Sequence, residues 1–239
     1  MSKRIDTAVI LAAGKGTRLR PYTHDIPKGF MQVGEEKLIE RSIRLLKKNG
    51  IENIIIGTGH LHEQYEKLAE AEGLKTFLSP DFAITGSFHT LCYGQELINS
   101  DFLLLESDLL FEELAITELL MSKNNDIILC SGFTQSNDEV YVSEQDGLLK
   151  KLSKQKEELD TINAELVGIW KVSQKLYQQL LALHSSTPDS KNMDYELAIA
   201  NLCSKGYHVN VLTCENLIWC EIDNEEHLER AYYDVLPRL

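Results

Sequence analysis

Residues 11–29 read LAAGKGTRLRPYTHDIPKG, and they hold the densest chemistry in the chain. Gly14 and Gly16 open a loop with little side-chain bulk, and backbone N–H groups in such a loop can close around phosphate oxygens. Lys15, Arg18 and Arg20 place three cations within six residues, and Lys28 adds a fourth after Pro27. Pro27 fixes the local backbone, so Lys28 reads as a lone positioned cation. Together these groups suit a nucleoside triphosphate. Spacing excludes two commoner phosphate loops. Residues 9–16 lack G-x-x-x-x-G-K-[ST], and Gly14-Lys15-Gly16 is followed by Leu19 where G-x-G-x-x-G needs glycine. A Gly-Lys-Gly loop without function is the remaining alternative. The ordered set of strand, loop, Arg18 and Pro27-Lys28 argues against it.

Transfer of a nucleotidyl group needs a triphosphate and a second phosphate to be neutralised at close quarters, which metal ions and cationic side chains do. Asp108 is the first metal candidate. It lies just beyond the apolar run Phe102-Leu103-Leu104-Leu105, where an open α/β sheet places its site, with Glu106 and Ser107 beside it. Asp223 is the second, ending Leu217-Ile218-Trp219-Cys220 with Glu221 beside it. Either Asp could instead cap a following helix. Two carboxylates from separate strand ends suit octahedral Mg²⁺, whose other positions go to phosphate oxygens and waters.

These groups must be held by a scaffold of alternating elements. Ala8-Val9-Ile10-Leu11-Ala12 reads as a buried strand. Residues 38–49 form an amphipathic helix ending at Gly50; 53–58 a strand; 61–72 a helix; 74–79 a strand; 90–98 a helix; and 102–106 a strand. A helix over 112–122 and a strand over 126–132 follow. Such alternation implies an α/β fold with a mainly parallel sheet and helices on both faces. Beyond residue 135 the pattern changes. Strands flank the turn Gln145-Asp146-Gly147, another covers 166–172, and helices over 173–184 and 194–204 precede strands at 208–212 and 217–222. With no repeat, low-complexity tract or clean linker, residues 1–239 read as one domain: a nucleotide-binding half to about 135 and an acceptor-binding half after it.

Composition narrows the partners. A formal net charge of -13 over 239 residues makes nucleic acid a poor partner. The clustered N-terminal cations against an acidic remainder suit a small anionic ligand. No apolar run approaches the ~18 residues of a membrane span, and Met1-Ser2-Lys3-Arg4 leads into a strand rather than a signal peptide. The five cysteines form no C-x-x-C pair and read as reduced thiols of a cytoplasmic protein. The seven histidines show no metal spacing and are assigned no role.

In order, LAAGKGTRL, PKGF, TGSFHTL, LLLESDLLF, ELVGIW and WCEID resemble the cytidylyltransferases of the nucleotide-diphospho-sugar transferase fold, a Rossmann-like three-layer sandwich with a mainly parallel mixed sheet. Within them the chain is most similar to the 2-aminoethylphosphonate and phosphocholine cytidylyltransferases, on ESDLLF, DEVYV and ELVGIW. The resemblance implies that Gly14, Lys15, Gly16, Thr17 and Arg18 contact the triphosphate and that Arg18 and Lys28 stabilise the reacting phosphates. It also implies that Asp108 and Asp223 hold Mg²⁺ and that the nucleobase lies near Ala12, Ala13, Gly86 and Ser87.

The acceptor pocket is less legible. An aminoalkyl acceptor carries a cation, which wants carboxylates and aromatic faces. Glu106, Trp170, Asp194, Tyr195 and Glu196 supply both types, and Asp138, Glu139 and Tyr141 form a second such cluster. Lys150 and Lys154 could face the acceptor phosphorus group or lie on a solvated charged face. The expected reaction joins CTP to 2-aminoethylphosphonate or phosphocholine and releases pyrophosphate. A hexose-1-phosphate transferase using UTP or dTTP, or an inactive nucleotide-binding subunit, are the alternatives. A homodimer is left open, and no membrane partner is expected.

Overall fold

The computed structural model describes residues 5–239; the reading of Met1-Ser2-Lys3-Arg4 lies outside them. In chain order the elements are β1 (Thr7–Ala12), β2 (Gln32–Val33), β3 (Glu36–Lys37), α1 (Leu38–Lys48), β4 (Asn53–Thr58), α2 (His62–Glu72), β5 (Lys75–Leu78), α3 (Ser87–Tyr93), β6 (Phe102–Glu106), β7 (Leu109–Phe111) and α4 (Leu114–Met121). The later elements are β8 (Ile127–Ser131), β9 (Tyr141–Gln145), β10 (Leu148–Ser153), β11 (Ala164–Val172), α5 (Gln174–Ser186), α6 (Tyr195–Ser204), β12 (Asn210–Cys214), β13 (Trp219–Glu221) and α7 (Glu225–Arg230).

Nine strands form one mixed sheet in the order β5-β4-β1-β6-β11-β8-β12-β10-β9. The first four are parallel, as the βαβ alternation requires, and β11 runs antiparallel between β6 and β8. Strand β1 pairs on both sides and is covered on both faces, which is why its sequence is apolar without alternation. Successive side chains feed opposite layers. Val9 and Leu11 join Phe88, Trp170, Tyr177 and Tyr195 under α3, α5 and α6. Ala8 and Ile10 join Ile39, Ile43, Tyr65 and Ala115 under α1, α2 and α4.

A third, smaller core decides where the chemistry sits. Leu19, Met31, Leu38, Leu110, Cys220, Ile222 and Val235 pack together beside the main sheet. The strand expected over 217–222 is only β13 long, and it pairs with β7 rather than joining the large sheet. The Ile222 N–H donates to the Asp108 carbonyl at 3.1 Å, so Asp108 and Asp223 are brought together across more than a hundred residues. The helix expected at 90–98 starts earlier, at Ser87, and ends in a 3-10 turn over Gly94–Glu96. All five cysteines are free. Among the described residues no helix is long and apolar enough to cross a membrane.

Candidate active site

The end of β1 opens into the glycine loop. Gly16 has φ 59°, a left-handed conformation that a side chain would strain, and the Thr23 hydroxyl donates to its carbonyl at 2.6 Å. The loop thus curls back with its backbone facing a cleft of about 450 Å³. Ala12, Ala13, Gly14, Gly16, Thr17 and Arg18 line this cleft, as do Gly86 and Ser87 across from them. Gly86 is held so tightly that an added Cβ would lie 2.2 Å from the Met193 carbonyl.

Lys28 begins the short turn Lys28–Phe30, where Pro27 supplies the extended residue that precedes it. Its ammonium sits between Asp108 and Asp223 and donates to both, with Glu221 3.9 Å away. Burial alone would lower the Lys28 pKa, but Asp108, Asp223 and Glu221 outweigh it and hold the ammonium above the ordinary lysine value. Burial would likewise raise Asp223, yet Lys28 and Arg18 hold it below the usual carboxylate range. Arg18 reaches Asp223 at 2.9 Å and Asp138 at 3.0 Å, and Lys154 donates to the other Asp138 oxygen at 2.8 Å. From behind, the buried Tyr65 sets its hydroxyl against Gly29 and Ser107, beside both Lys28 and Asp108.

Carboxylates on the cleft wall outnumber its cations, Arg18, Lys28, Lys154 and Arg230. Burial, then Asp108 and Glu196, pushes the Glu106 carboxyl well above the ordinary range, although it accepts the Tyr195 hydroxyl at 2.8 Å. Burial, then Asp108, Glu106 and Asp223, does the same to Glu221. Glu196 is pushed up to about 7 by burial and Asp194. Glu106, Asp108 and Glu221 each place a carboxylate oxygen within 4.8 Å of the others. The Asp108 Oδ1 is buried with no hydrogen-bond partner. An orphaned carboxylate oxygen beside two under-compensated carboxyls fits a hard divalent cation.

The predicted residues divide by location. Arg18, Lys28, Glu106, Asp108, Asp194, Glu196 and Asp223 all face the cleft, with the glycine loop. Trp170 and Tyr195 do not: both are 0 % exposed, packed edge to face at 6.0 Å in the core under α5 and α6. The aromatic face expected from them for an acceptor cation is therefore not on the wall. Trp170 falls on the inward pleat of β11, and Tyr195 offers the site its hydroxyl, to Glu106, and its backbone N–H, to Ser87 Oγ at 3.0 Å. Lys15 points to solvent outside the cleft lining. Asp194, expected with the acceptor, instead accepts from Ser87 Oγ at 3.2 Å on the wall expected for the nucleobase. Asp223 is paired with two cations, while Glu221 takes the place beside Asp108 and Glu106. Tyr65, Phe82, Glu165, His227 and Arg230 also line the cleft and carried no sequence signal, because each is isolated in the chain.

Comparison with known proteins fits this geometry. The profile of the MobA-like NTP transferase domain matches residues 8–186. A choline-phosphate cytidylyltransferase of Streptococcus pneumoniae is 37% identical over 115 residues, 48% of this chain and 50% of that protein. A CTP:phosphoglutamine cytidylyltransferase of Campylobacter jejuni is 23% identical across 93% of this chain and 97% of its own. The chain spans about half the length of several other curated relatives it matches, a bifunctional sugar-1-phosphate nucleotidylyltransferase/acetyltransferase of Sulfurisphaera tokodaii among them. The solved inositol-1-phosphate CTP transferase from T. maritima superposes with a TM-score of 0.82 at 20% identity, covering 98% of this chain and 99% of that one, a likeness of fold. Matched over three quarters of its length, with the glycine loop and Asp108 inside the match, the chain belongs to the MobA-like NTP transferase domain family.

Proposed function

We propose that this protein is a Mg²⁺-dependent cytidylyltransferase that joins CTP to a small aminoalkyl phosphonate or phosphate, 2-aminoethylphosphonate or phosphocholine, and releases pyrophosphate. The observation that carries the reading is the excess of carboxylates over cations lining the glycine-loop cleft, with Glu106 and Glu221 pushed well above the ordinary carboxylate range. A site for two anionic phosphorus groups gains from carboxylates only if cations enter with the substrates. One such cation is the metal. Glu196 lies outside the three-carboxylate cluster and suits a second, the acceptor's ammonium. The choline-phosphate and phosphoglutamine relatives support CTP and a small acceptor.

In this reading the glycine-loop N–H groups and Arg18 bind the triphosphate. An acceptor phosphoryl oxygen attacks the α-phosphorus; a P–O bond forms to it, and the bond to the bridging oxygen of pyrophosphate breaks. Lys28, permanently charged by its carboxylate neighbours, stabilises negative charge that grows on the transferring group. Lys154 meets the acceptor phosphorus group, and Glu196 faces its amine. Asp108, with Glu221 and Glu106 or with Asp223, would hold Mg²⁺, which would supply charge neutralisation for the phosphates.

The test is pyrophosphate release from CTP, UTP, dTTP and ATP, each against 2-aminoethylphosphonate, phosphocholine and glucose-1-phosphate. Release confined to CTP with an amino acceptor supports the reading. Release with glucose-1-phosphate and neither amino compound rejects it in favour of a sugar-1-phosphate transferase.

A further inference from the structure

His227 joins the 132–140 connection to the end of the strand carrying Asp223, beside the bridge that Arg18 makes between Asp138 and Asp223. It lies in α7, 5 % exposed, where the Asn224 side chain accepts its backbone N–H at 2.9 Å and fixes the start of the helix. The Asp223 N–H donates to His227 Nδ1 at 3.3 Å. The other ring nitrogen, Nε2, lies 3.2 Å from the Ser136 carbonyl. A carbonyl only accepts and an N–H only donates, so both bonds exist together in one form of the ring: the neutral imidazole with its proton on Nε2.

Ser136 is the centre of the 132–140 connection between β8 and β9. Gln135 and Asn137 flank it at φ 56° and 68°, left-handed values that asparagine adopts readily and glutamine holds only when its surroundings impose them. The same connection carries Asp138, whose carboxylate ties Arg18 on one lip to Lys154 on the other. Thr134, in the same stretch, is held through its N–H by the buried Glu165 at 2.7 Å. The connection is thus anchored at Thr134 and Asp138 by side chains of the cleft wall, and at its strained centre by one imidazole.

We propose that His227 is a positioning residue. Its ring sets the 132–140 connection against the strand end that carries Asp223, and so sets Asp138 and Lys154 for the acceptor. The kinetic part of this rests on the nucleotidyl-transfer reading above; the structural part does not.

Asparagine and glutamine separate the two bonds, because their amides overlay Nδ1 and Nε2 respectively. His227→Asn keeps an acceptor for the Asp223 N–H and loses the Ser136 bond. His227→Gln keeps a donor for Ser136. Amide exchange over 132–140 should quicken at least tenfold in His227→Asn and stay near wild type in His227→Gln, with β8 and β11 unchanged in both. The acceptor KM should rise about tenfold in His227→Asn alone, with the CTP KM moving less than threefold. Equal exchange over 132–140 in the two variants overturns the proposal, since a mere filler of space would lose the same from either. The wild-type protein offers a check that needs no variant and no substrate. Imidazole ¹⁵N shifts at pH 8 should report His227 protonated on Nε2, and the Nδ1–H form would overturn it. Loss of turnover with every substrate pair while exchange and tautomer come out as expected would fault the reaction and leave the tie intact.

Discussion

Replacing Lys28 with methionine removes one positive charge and keeps the length and bulk of the side chain. The structure gives two consequences of comparable size. Lys28, Asp108 and Asp223 have side chains only 12, 13 and 8 % exposed, so the buried rather than the surface ion-pair scale applies. Breaking such a pair costs about 3–5 kcal/mol, because the carboxylates stay buried without a partner. For a chain of this length that lowers Tm by roughly 6–20 °C. The lost transition-state charge stabilisation is about 2–4 kcal/mol, or about 30- to 1,000-fold in kcat. The linkage has a defined sign. The folded-state pKa of Asp223 is depressed, so its contribution is present above the unfolded value near about 3.9 and fades as pH falls towards the folded one. Lys28→Met should therefore lose stability at pH 7 and lose part of the wild-type decline in acid. Scanning calorimetry with and without Mg²⁺, beside kcat from pyrophosphate release, separates the effects. Mg²⁺ should recover part of the Tm, since it also neutralises Asp108, and none of the kcat. A lowered Tm with kcat within about threefold of wild type would refute the catalytic role and leave Lys28 as a counter-ion.

The metal ligands are distinguished by titrating Mg²⁺ against Asp108→Asn, Glu221→Gln and Asp223→Asn: all three should retain the fold, and the first two should require several-fold more metal. An unchanged requirement in Glu221→Gln with a raised one in Asp223→Asn would favour the pair read from sequence over the cluster. Because Glu196 titrates near about 7, the acceptor KM should fall from pH 6 to pH 8 as its carboxylate forms, and Glu196→Gln should flatten that slope while leaving the CTP KM alone. The same raised value favours the protonated fold, so Glu196 should cost stability as pH rises from about 4.3 towards 7. Tyr65→Phe removes the buried hydroxyl set against Gly29 and Ser107 beside Lys28 and Asp108, so kcat should drop with both KM values held. An unchanged kcat would show that packing alone holds Lys28.

What could be read from the sequence follows the range of the forces involved. Strand β1, the glycine loop, Lys28 and Asp108 were legible because buried parallel strands are apolar runs and the site lies just past their ends. The turn at Gln145-Asp146-Gly147 was legible from local backbone preference and sits between β9 and β10 as expected. Trp170 was misread because chain position does not tell which side of β11 a residue faces; the pleat turns it into the core. Glu221 was not singled out beside Asp223 because its closeness to Asp108 and Glu106 comes from the pairing of β13 with β7, which local sequence does not show. Tyr65, Glu165 and His227 left no local pattern, since each meets the cleft through tertiary packing alone.

The central claim is that CMP passes from CTP to a small aminoalkyl phosphorus acid. ³¹P NMR of protein, CTP, Mg²⁺ and 2-aminoethylphosphonate or phosphocholine tests it most directly. The account predicts a new phosphorus–oxygen–phosphorus linkage between CMP and one of these acceptors, formed in step with free pyrophosphate and abolished by EDTA. Unchanged CTP with both acceptors, alongside consumption of UTP or dTTP with glucose-1-phosphate, would contradict it.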